Sequence, residues 1–246
     1  AVEAHQRPKL EHYGDTLFAC AGALLDRFGS VDEHSLHGRG RPLRATGVMC
    51  AVGALGLAGL PPFGTALGKA VAEEAVGGPL TVVYVAASAI TAGAVLRVTA
   101  RVFLGLGPRP RDAEYETSGS HEEPETTGLL SRVPDTMTTV PAVLLAAALA
   151  MGVVPGFGAL VARSVGPAGS GGAHWTAHGV LLGVASTALA VALAGLAVAR
   201  PDWTAAPGWA APLRRLQSGH VGDYVAWLLV GTTVLGALAL PGVLGS

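Results

Sequence analysis

The sequence predicts an all-α fold, a polytopic membrane bundle of about six or seven transmembrane helices joined by short polar connections. One observation is composition: 13% of the 246 residues are charged and 50% are hydrophobic, whereas a soluble domain carries roughly a quarter charged residues. The other is charge placement. Five stretches lack Asp, Glu, Lys and Arg, and each reaches the roughly 20 residues that cross a bilayer core. These stretches are Ala45–Gly68, Ala75–Leu96, Thr136–Ala162, Ser164–Ala199 and Tyr224–Ser246.

The first predicted helix is built on a short apolar run, Thr16–Leu25. It reaches the length of a membrane span only when its flanking residues are included, and Asp15 then lies within the helix. The polar connection Asp26–Arg44 contains four arginines. We expect its basic part, Arg39–Arg44, on the cytoplasmic side because positive loops favour that side.

The second predicted helix is broken. Ala45–Leu60 is rich in Gly and Ala and runs into Pro61-Pro62, where a helix must stop or kink. A short apolar helix is expected over Phe63–Val76, and it contains Lys69. Whether this second part crosses the membrane or re-enters it stays open.

The rest of the sequence predicts four more helices and one long loop. The helices are expected over Leu80–Leu104, Thr138–Val154, Thr176–Val198 and Val221–Leu240. Arg97 and Arg101 fall in the last turns of the first of these, where we expect both to snorkel to the interface. Residues 107–135 carry charges of both signs together with Pro, Gly, Ser and Thr. This composition indicates an extramembrane loop.

Composition and motifs argue against several classes of function. A net charge of −1 gives no footprint for nucleic acid. Cys20 and Cys50 each stand alone in apolar stretches, so we expect them to pack as small hydrophobic side chains. The sequence has no phosphate-binding loop, no dinucleotide fingerprint and no cysteine set for haem or an iron–sulfur cluster. It therefore predicts no cofactor and no bound metal.

Lys69 is the candidate functional residue. A charge at the centre of a membrane helix costs about 2.5–3.5 kcal/mol on insertion scales, so we expect Lys69 to face the bundle interior, water or a carboxylate. Pro61 and Pro62 free backbone carbonyls, which membrane proteins tolerate where those groups are buried or line a cavity. Because a lysine kept from water gives up its proton more readily, Lys69 beside the break is suited to proton transfer. The residues also allow a second interpretation, in which Lys69 snorkels to the interface.

Four segments of the chain carry a family resemblance. Gly53–Glu74, GALGLAGLPPFGTALGKAVAEE, resembles a broken-helix segment in which several family members have a lysine at the place of Lys69. Phe18–Ser35, Ala94–Phe103 and Leu213–Tyr224 resemble neighbouring helices and the entry to the terminal helix. The family is that of the antiporter-like, proton-translocating membrane subunits. It includes the L, M and N type subunits of NADH-quinone oxidoreductase (complex I), Mrp-type cation/proton antiporters and formate-hydrogenlyase-type hydrogenases.

The resemblance implies roles for particular residues. Lys69 would transfer protons, and Pro61 and Pro62 would open the path at the helix break. Apart from the resemblance, Asp15 near the first helix is a weaker candidate, as a carboxylate that could face Lys69 across the bundle. Members usually carry a basic residue ahead of the first helix, and His12 either substitutes for it or is a polar surface residue.

The resemblance also implies how the chain is organised. Family members are built as two inverted repeats, so residues 1–246 are expected to be a single membrane domain, the C-terminal portion of a larger subunit. Its partners would be the lipid bilayer and the other membrane subunits of a complex.

The implied function is translocation of protons, or exchange of cations for protons, across the inner cell membrane. The chain would act as a multi-pass subunit of a redox-driven NADH-quinone oxidoreductase-like or Mrp-like complex. The alternative is a truncated, non-transporting structural remnant of such a subunit. The sequence holds no redox centre of its own, so whether the chain belongs to an oxidoreductase or hydrogenase complex stays open.

Overall fold

A computed structural model of the chain describes residues 12–33, 35–69, 78–109, 131–154, 156, 175–201, 229 and 233. Within these residues every regular element is a helix, as predicted. The helices are α1 (His12–Phe28), α2 (Arg44–Ala58), α3 (Gly78–Thr99), α4 (Asp135–Val153) and α5 (Ala177–Ala199). A π-helical turn over Ala100–Leu104 continues α3, and residues 64–69 are also helical.

The chain divides into two compact units, of which the first comprises Ala1–Tyr115 and Pro124–Pro201. All five helices belong to this first unit. Of the second unit, Leu229 and Thr233 are described, and both are helical, within the helix predicted over Val221–Leu240. The rest of that helix, the segment Leu213–Tyr224 and most of the loop 107–135 lie outside the described residues.

Helix α2 lies at the centre of the first unit because it contacts each of the other four helices. The contact between α3 and α5 is the most extensive, and small residues fill it. Ala89, Ala92 and Ala190 are fully buried there, and a Cβ added to Gly93 would lie 3.1 Å from the carbonyl oxygen of Ala190. In lipid, helix association depends on such close backbone approach. The abundance of Gly and Ala is therefore what allows these helices to pack.

Three described segments are long and apolar enough to cross a membrane. They are Thr81–Leu104, Asp135–Val153 and Ala177–Ala199. Each presents apolar side chains outward: Val82, Val143 and Leu181 are 70%, 66% and 68% exposed. Apolar surface that recurs along successive helices marks a contact with lipid or protein. These features indicate a membrane protein.

Helix α2 is too short to span a bilayer by itself. Its 15 residues extend over about 22 Å, against roughly 30 Å of hydrocarbon core. It ends at Ala58, where Gly59 adopts a left-handed conformation with φ 94°. The N–H groups of Gly59 and of the next residue donate to carbonyls one turn back at 3.0 and 3.1 Å, which is a Schellman motif. Gly59 therefore ends the helix, and Pro61 and Pro62 keep it from resuming at once.

Candidate functional site

Lys69 is buried at the break between α2 and the helical residues 64–69, with 9% of its surface exposed. Its Nζ donates a hydrogen bond to the carbonyl oxygen of Ala58 at 3.0 Å and another to Oγ of Ser186 at 3.1 Å. The same nitrogen lies 5.7 Å from the centre of the Tyr84 ring, within the range of a cation–π contact. Groups from α2, α3 and α5 therefore converge on one ammonium group.

The position of Lys69 follows from the way α2 ends. The last carbonyl groups of a helix have no partner within it and carry the negative end of the helix dipole. Lys69 supplies a cation to one of them, and Thr65 Oγ1 donates to Gly56 O at 2.9 Å. The segment after the break thus completes the hydrogen bonds of the segment before it. A cation in this position stabilises a helix by about 0.3–1 kcal/mol, and by up to about 2 kcal/mol when partly buried.

Glycines let the backbone of α5 reach the break. A Cβ added to Gly183 would collide with the carbonyl oxygen of Gly59. Ser186 lies one turn beyond Gly183, is fully buried, and reaches Lys69 only because of this close approach. Gly59 itself has no room for a side chain, since an added Cβ would lie 3.1 Å from Cδ of Lys69.

Helix α4 closes the break from another side. A Cβ added to Gly152 would collide with the carbonyl oxygen of Pro62, and one added to Gly64 would lie 2.7 Å from Cβ of Met151. Nε1 of Trp175, just ahead of α5, donates to the Gly152 carbonyl at 2.9 Å. The Gly59 and Pro62 carbonyls of the non-helical backbone therefore lie against α5 and α4, and contact with protein is what allows such backbone at membrane depth.

Lys69 and Ser186 can remain hydrogen bonded in both protonation states of the lysine. An ammonium group is a donor only, and a serine hydroxyl both donates and accepts. With Lys69 charged, Ser186 accepts, as in the described geometry. With Lys69 neutral, the hydroxyl can turn to donate to the amine lone pair while a remaining N–H still reaches Ala58. The site thus suits a group that gains and loses a proton without rearrangement of the backbone.

The other predicted site residues lie in the helix break and in α1. Pro61 and Pro62 lie within the break and are joined by a cis peptide bond. His12 and Asp15 lie in the first turn of α1. A contact between Asp15 and Lys69, and a role for His12, stay predictions.

A second charged cluster joins the loop after α1 to the end of α3. Oε1 of Glu33 accepts a hydrogen bond from Nη2 of Arg97 at 2.8 Å and lies 2.8 Å from Nε of Arg101. The side chain of Arg101 is 3% exposed, so the expectation that it snorkels to the interface is wrong. The reason is the partly buried carboxylate of Glu33, because a buried charge persists where a partner of opposite sign compensates it.

Sequence reasoning missed Ser186, Tyr84 and Glu33. Small residues lie on every face of α5, so the sequence did not single out Ser186. Only the structure shows the buried residues of α5. They are Gly179, Gly183, Ser186, Thr187, Ala190 and Ala194. No local pattern distinguished Glu33 from the other charges of its loop.

Neither a metal site among the described residues nor a match to a known protein identifies what the site does. In the part of the chain that the structure describes, no three His, Cys, Asp or Glu side chains are placed to hold a metal. No protein-family model and no curated protein matches the chain. The family therefore remains a resemblance, which the four segments quoted above carry.

Proposed function

We propose that this chain takes part in proton, or cation/proton, translocation across the inner cell membrane, as one subunit of a larger complex. Lys69 is the group that gains and loses the proton. The proposal includes six or seven membrane spans, of which three have the required length and composition among the described residues. As the family resemblance implies, the energy for translocation would come from another part of an NADH-quinone oxidoreductase-like or Mrp-like complex.

One observation carries the proposal: a buried ammonium group lies at a helix break inside a bundle of apolar helices. Its partners include the Ala58 carbonyl and the Ser186 hydroxyl. Charges within membrane segments are rare and usually mark ion or proton paths. Broken helices at membrane depth are likewise typical of the ion sites of transporters.

The test measures proton uptake by vesicles that hold the whole host complex. Lys69→Arg keeps the positive charge but cannot release a proton in a protein, and Lys69→Ala removes the titrating group. We expect both variants to abolish proton transfer while the amount of inserted complex stays nearly unchanged. Ser186→Ala should slow transfer without abolishing it, because Ala58 still holds the lysine.

A second candidate function is that of a structural remnant that packs in the membrane without transporting. The hydrogen bond from Lys69 to Ala58 favours it, since a lysine at the end of α2 stabilises the helix whether or not it titrates. If the chain is such a remnant, proton uptake should stay near normal with Lys69→Arg, and Lys69→Ala should lower thermal stability. Normal uptake by the arginine variant would refute Lys69 as the proton carrier.

A further inference from the structure

A basic cavity lies at the end of the span Thr81–Leu104, between the loop after α1 and the π-helical turn. Its volume is about 400 Å³, within the usual size range of small-molecule sites. The described residues that line it are His37, Gly38, Arg39, Arg41, Gly105 and Arg109. Three guanidinium groups and an imidazole therefore surround one space.

The backbone that carries these residues is held in place. The N–H groups of Gly38 and Gly40 donate to the carbonyls of Arg101 and Val102 at 2.9 and 3.0 Å, so the loop lies along the π-helical turn. A Cβ added to Gly105 would lie 2.8 Å from Nη2 of Arg41. The glycine thus leaves room for that guanidinium group to cross the turn.

Three of the lining side chains are held in place by contacts, and the two arginines among them keep hydrogen-bond donors available. Nη2 of Arg41 donates to the Leu104 carbonyl at 3.0 Å, and Nε2 of His37 lies 3.3 Å from the Leu106 carbonyl oxygen. The guanidinium group of Arg39 stacks 5.2 Å from the centre of the Phe28 ring. An arginine has five N–H donors, so Arg39 and Arg41 keep donors for a ligand.

The two carboxylates of the loop between α1 and α2, which carries His37, Arg39 and Arg41, are engaged elsewhere. Glu33 pairs with Arg97 and Arg101, and Asp32 accepts a hydrogen bond from the N–H of Ser35 at 2.8 Å. No acidic residue is among the described residues that line the cavity. The positive charge of the described lining side chains favours an anion, and arginine forks match the oxygens of a phosphate group.

We propose that this cavity binds the phosphate group of an anionic phospholipid. Two observations favour a lipid over free phosphate. The cavity lies at the end of a segment that can span a membrane, where basic pockets meet lipid headgroups. Leu104 and Leu106, whose carbonyls hold Arg41 and His37, are 59% and 48% exposed, and they offer apolar surface to acyl chains beside the headgroup.

The first experiment uses the wild-type chain in a neutral detergent, free of bound lipid. Fluorescent phosphatidylglycerol is titrated into it, and unlabelled phosphatidylglycerol, phosphatidylcholine and inorganic phosphate are tested as competitors. We expect phosphatidylglycerol to compete at least about 10-fold better than the other two. Equal competition by phosphatidylcholine would overturn the proposal, because the headgroup charge would then be irrelevant. Equal competition by inorganic phosphate would overturn the lipid as the ligand.

The second experiment locates the site. Arg109→Gln removes an exposed guanidinium from the cavity and should weaken phosphatidylglycerol binding about 5-fold, and Arg39→Gln combined with it about 30-fold. Arg132→Gln is the matched control, since Arg132 is 86% exposed and does not line the cavity. Thermal melting in the same detergent checks that each variant is folded. Unchanged binding by folded Arg109→Gln, or an equal loss in the control, would place the lipid elsewhere.

Discussion

The two charged side chains that the described part buries most deeply, Lys69 and Arg101, are both held by partners distant in the sequence. Lys69 bonds to Ser186, and Arg101 contacts Glu33. Burying a charge is costly unless hydrogen bonds or an opposite charge compensate it. The groups that hold Lys69 include a backbone carbonyl and a hydroxyl, and a carboxylate contacts Arg101.

Glu33 should therefore matter for stability. Glu33→Gln keeps the shape of the side chain and removes the charge, so Arg97 and Arg101 are left facing each other without a counter-charge. Removing one partner of a fully buried ion pair costs about 3–5 kcal/mol, and this partly buried cluster should lose less, because Glu33 and Arg97 are 14% and 24% exposed. We expect a clear fall in the melting temperature of the purified chain in detergent.

The control for this prediction is Asp135→Asn. Asp135 lies 3.7 Å from Arg132, and both side chains are 86% exposed. An exposed pair contributes less than about 1 kcal/mol, so the melting temperature should hardly change. Similar melting temperatures for the two variants would show that the Glu33 cluster is not a buried, compensated unit.

The sequence of a single helix in this protein does not show which of its faces is buried, whereas the contacts between two helices do. Cys20 and Cys50, expected to pack as small hydrophobic side chains, are indeed buried, at 2% and 9% exposure. They are not isolated, however, since Sγ of Cys20 donates to the Thr46 carbonyl of α2 at 3.6 Å, and Oγ1 of Thr99 donates to Sγ of Cys50 at 3.2 Å. Contacts between helices, rather than any single helix, thus determine which small residues become buried.

The close approach of α5 to the break can be tested at Gly183. Gly183→Ala adds a methyl group that collides with the Gly59 carbonyl, so α5 must move away and draw Ser186 from Lys69. Overpacking of this kind costs about 1–3 kcal/mol, and we expect a lower melting temperature in detergent. Gly195→Ala, in the same helix with no atom within 4 Å of the added group, should be neutral or slightly stabilising. Equal tolerance of both substitutions would contradict the packing of α5 on the break.

At the scale of the whole molecule, the described helices expose large apolar side chains, which is unfavourable in water. Val83, Ile90 and Val191 are 63%, 62% and 52% exposed on helices that are long enough to cross a bilayer. Burial in lipid removes the cost of that exposure, because apolar area taken from water is worth about 25 cal/mol per Å².

The chain should therefore stay with membranes under alkaline carbonate, which strips peripheral proteins but leaves spanning helices in place. The measurement is an immunoblot of the pellet and the supernatant after carbonate treatment of expressing cells. A peripheral membrane protein serves as the control that must be released. Recovery of the chain in the supernatant without detergent would overturn the membrane assignment.

The sequence by itself determined where the five described helices α1 to α5 lie, and it pointed to Lys69 as the candidate functional residue. Apolar runs and Gly or Pro stops are local features, so the helix expected over Leu80–Leu104 matches the observed span Thr81–Leu104. Lys69 stood out because a charge in an apolar segment is costly wherever the segment packs. The sequence also indicated a break near Pro61 and Pro62, and the structure places the helix end at Ala58.

Only the tertiary structure decided what surrounds those residues. Ser186 lies 117 positions from Lys69, and Arg97 lies 64 positions from Glu33. The basic cavity likewise joins residues from two separate parts of the chain. The physical reason is that these helices are apolar and small on nearly every face, so hydrophobic periodicity does not select the side that turns inward. Close backbone contacts, such as that of Gly183 with Gly59, fix the rotation of each helix, and they arise only when the helices pack.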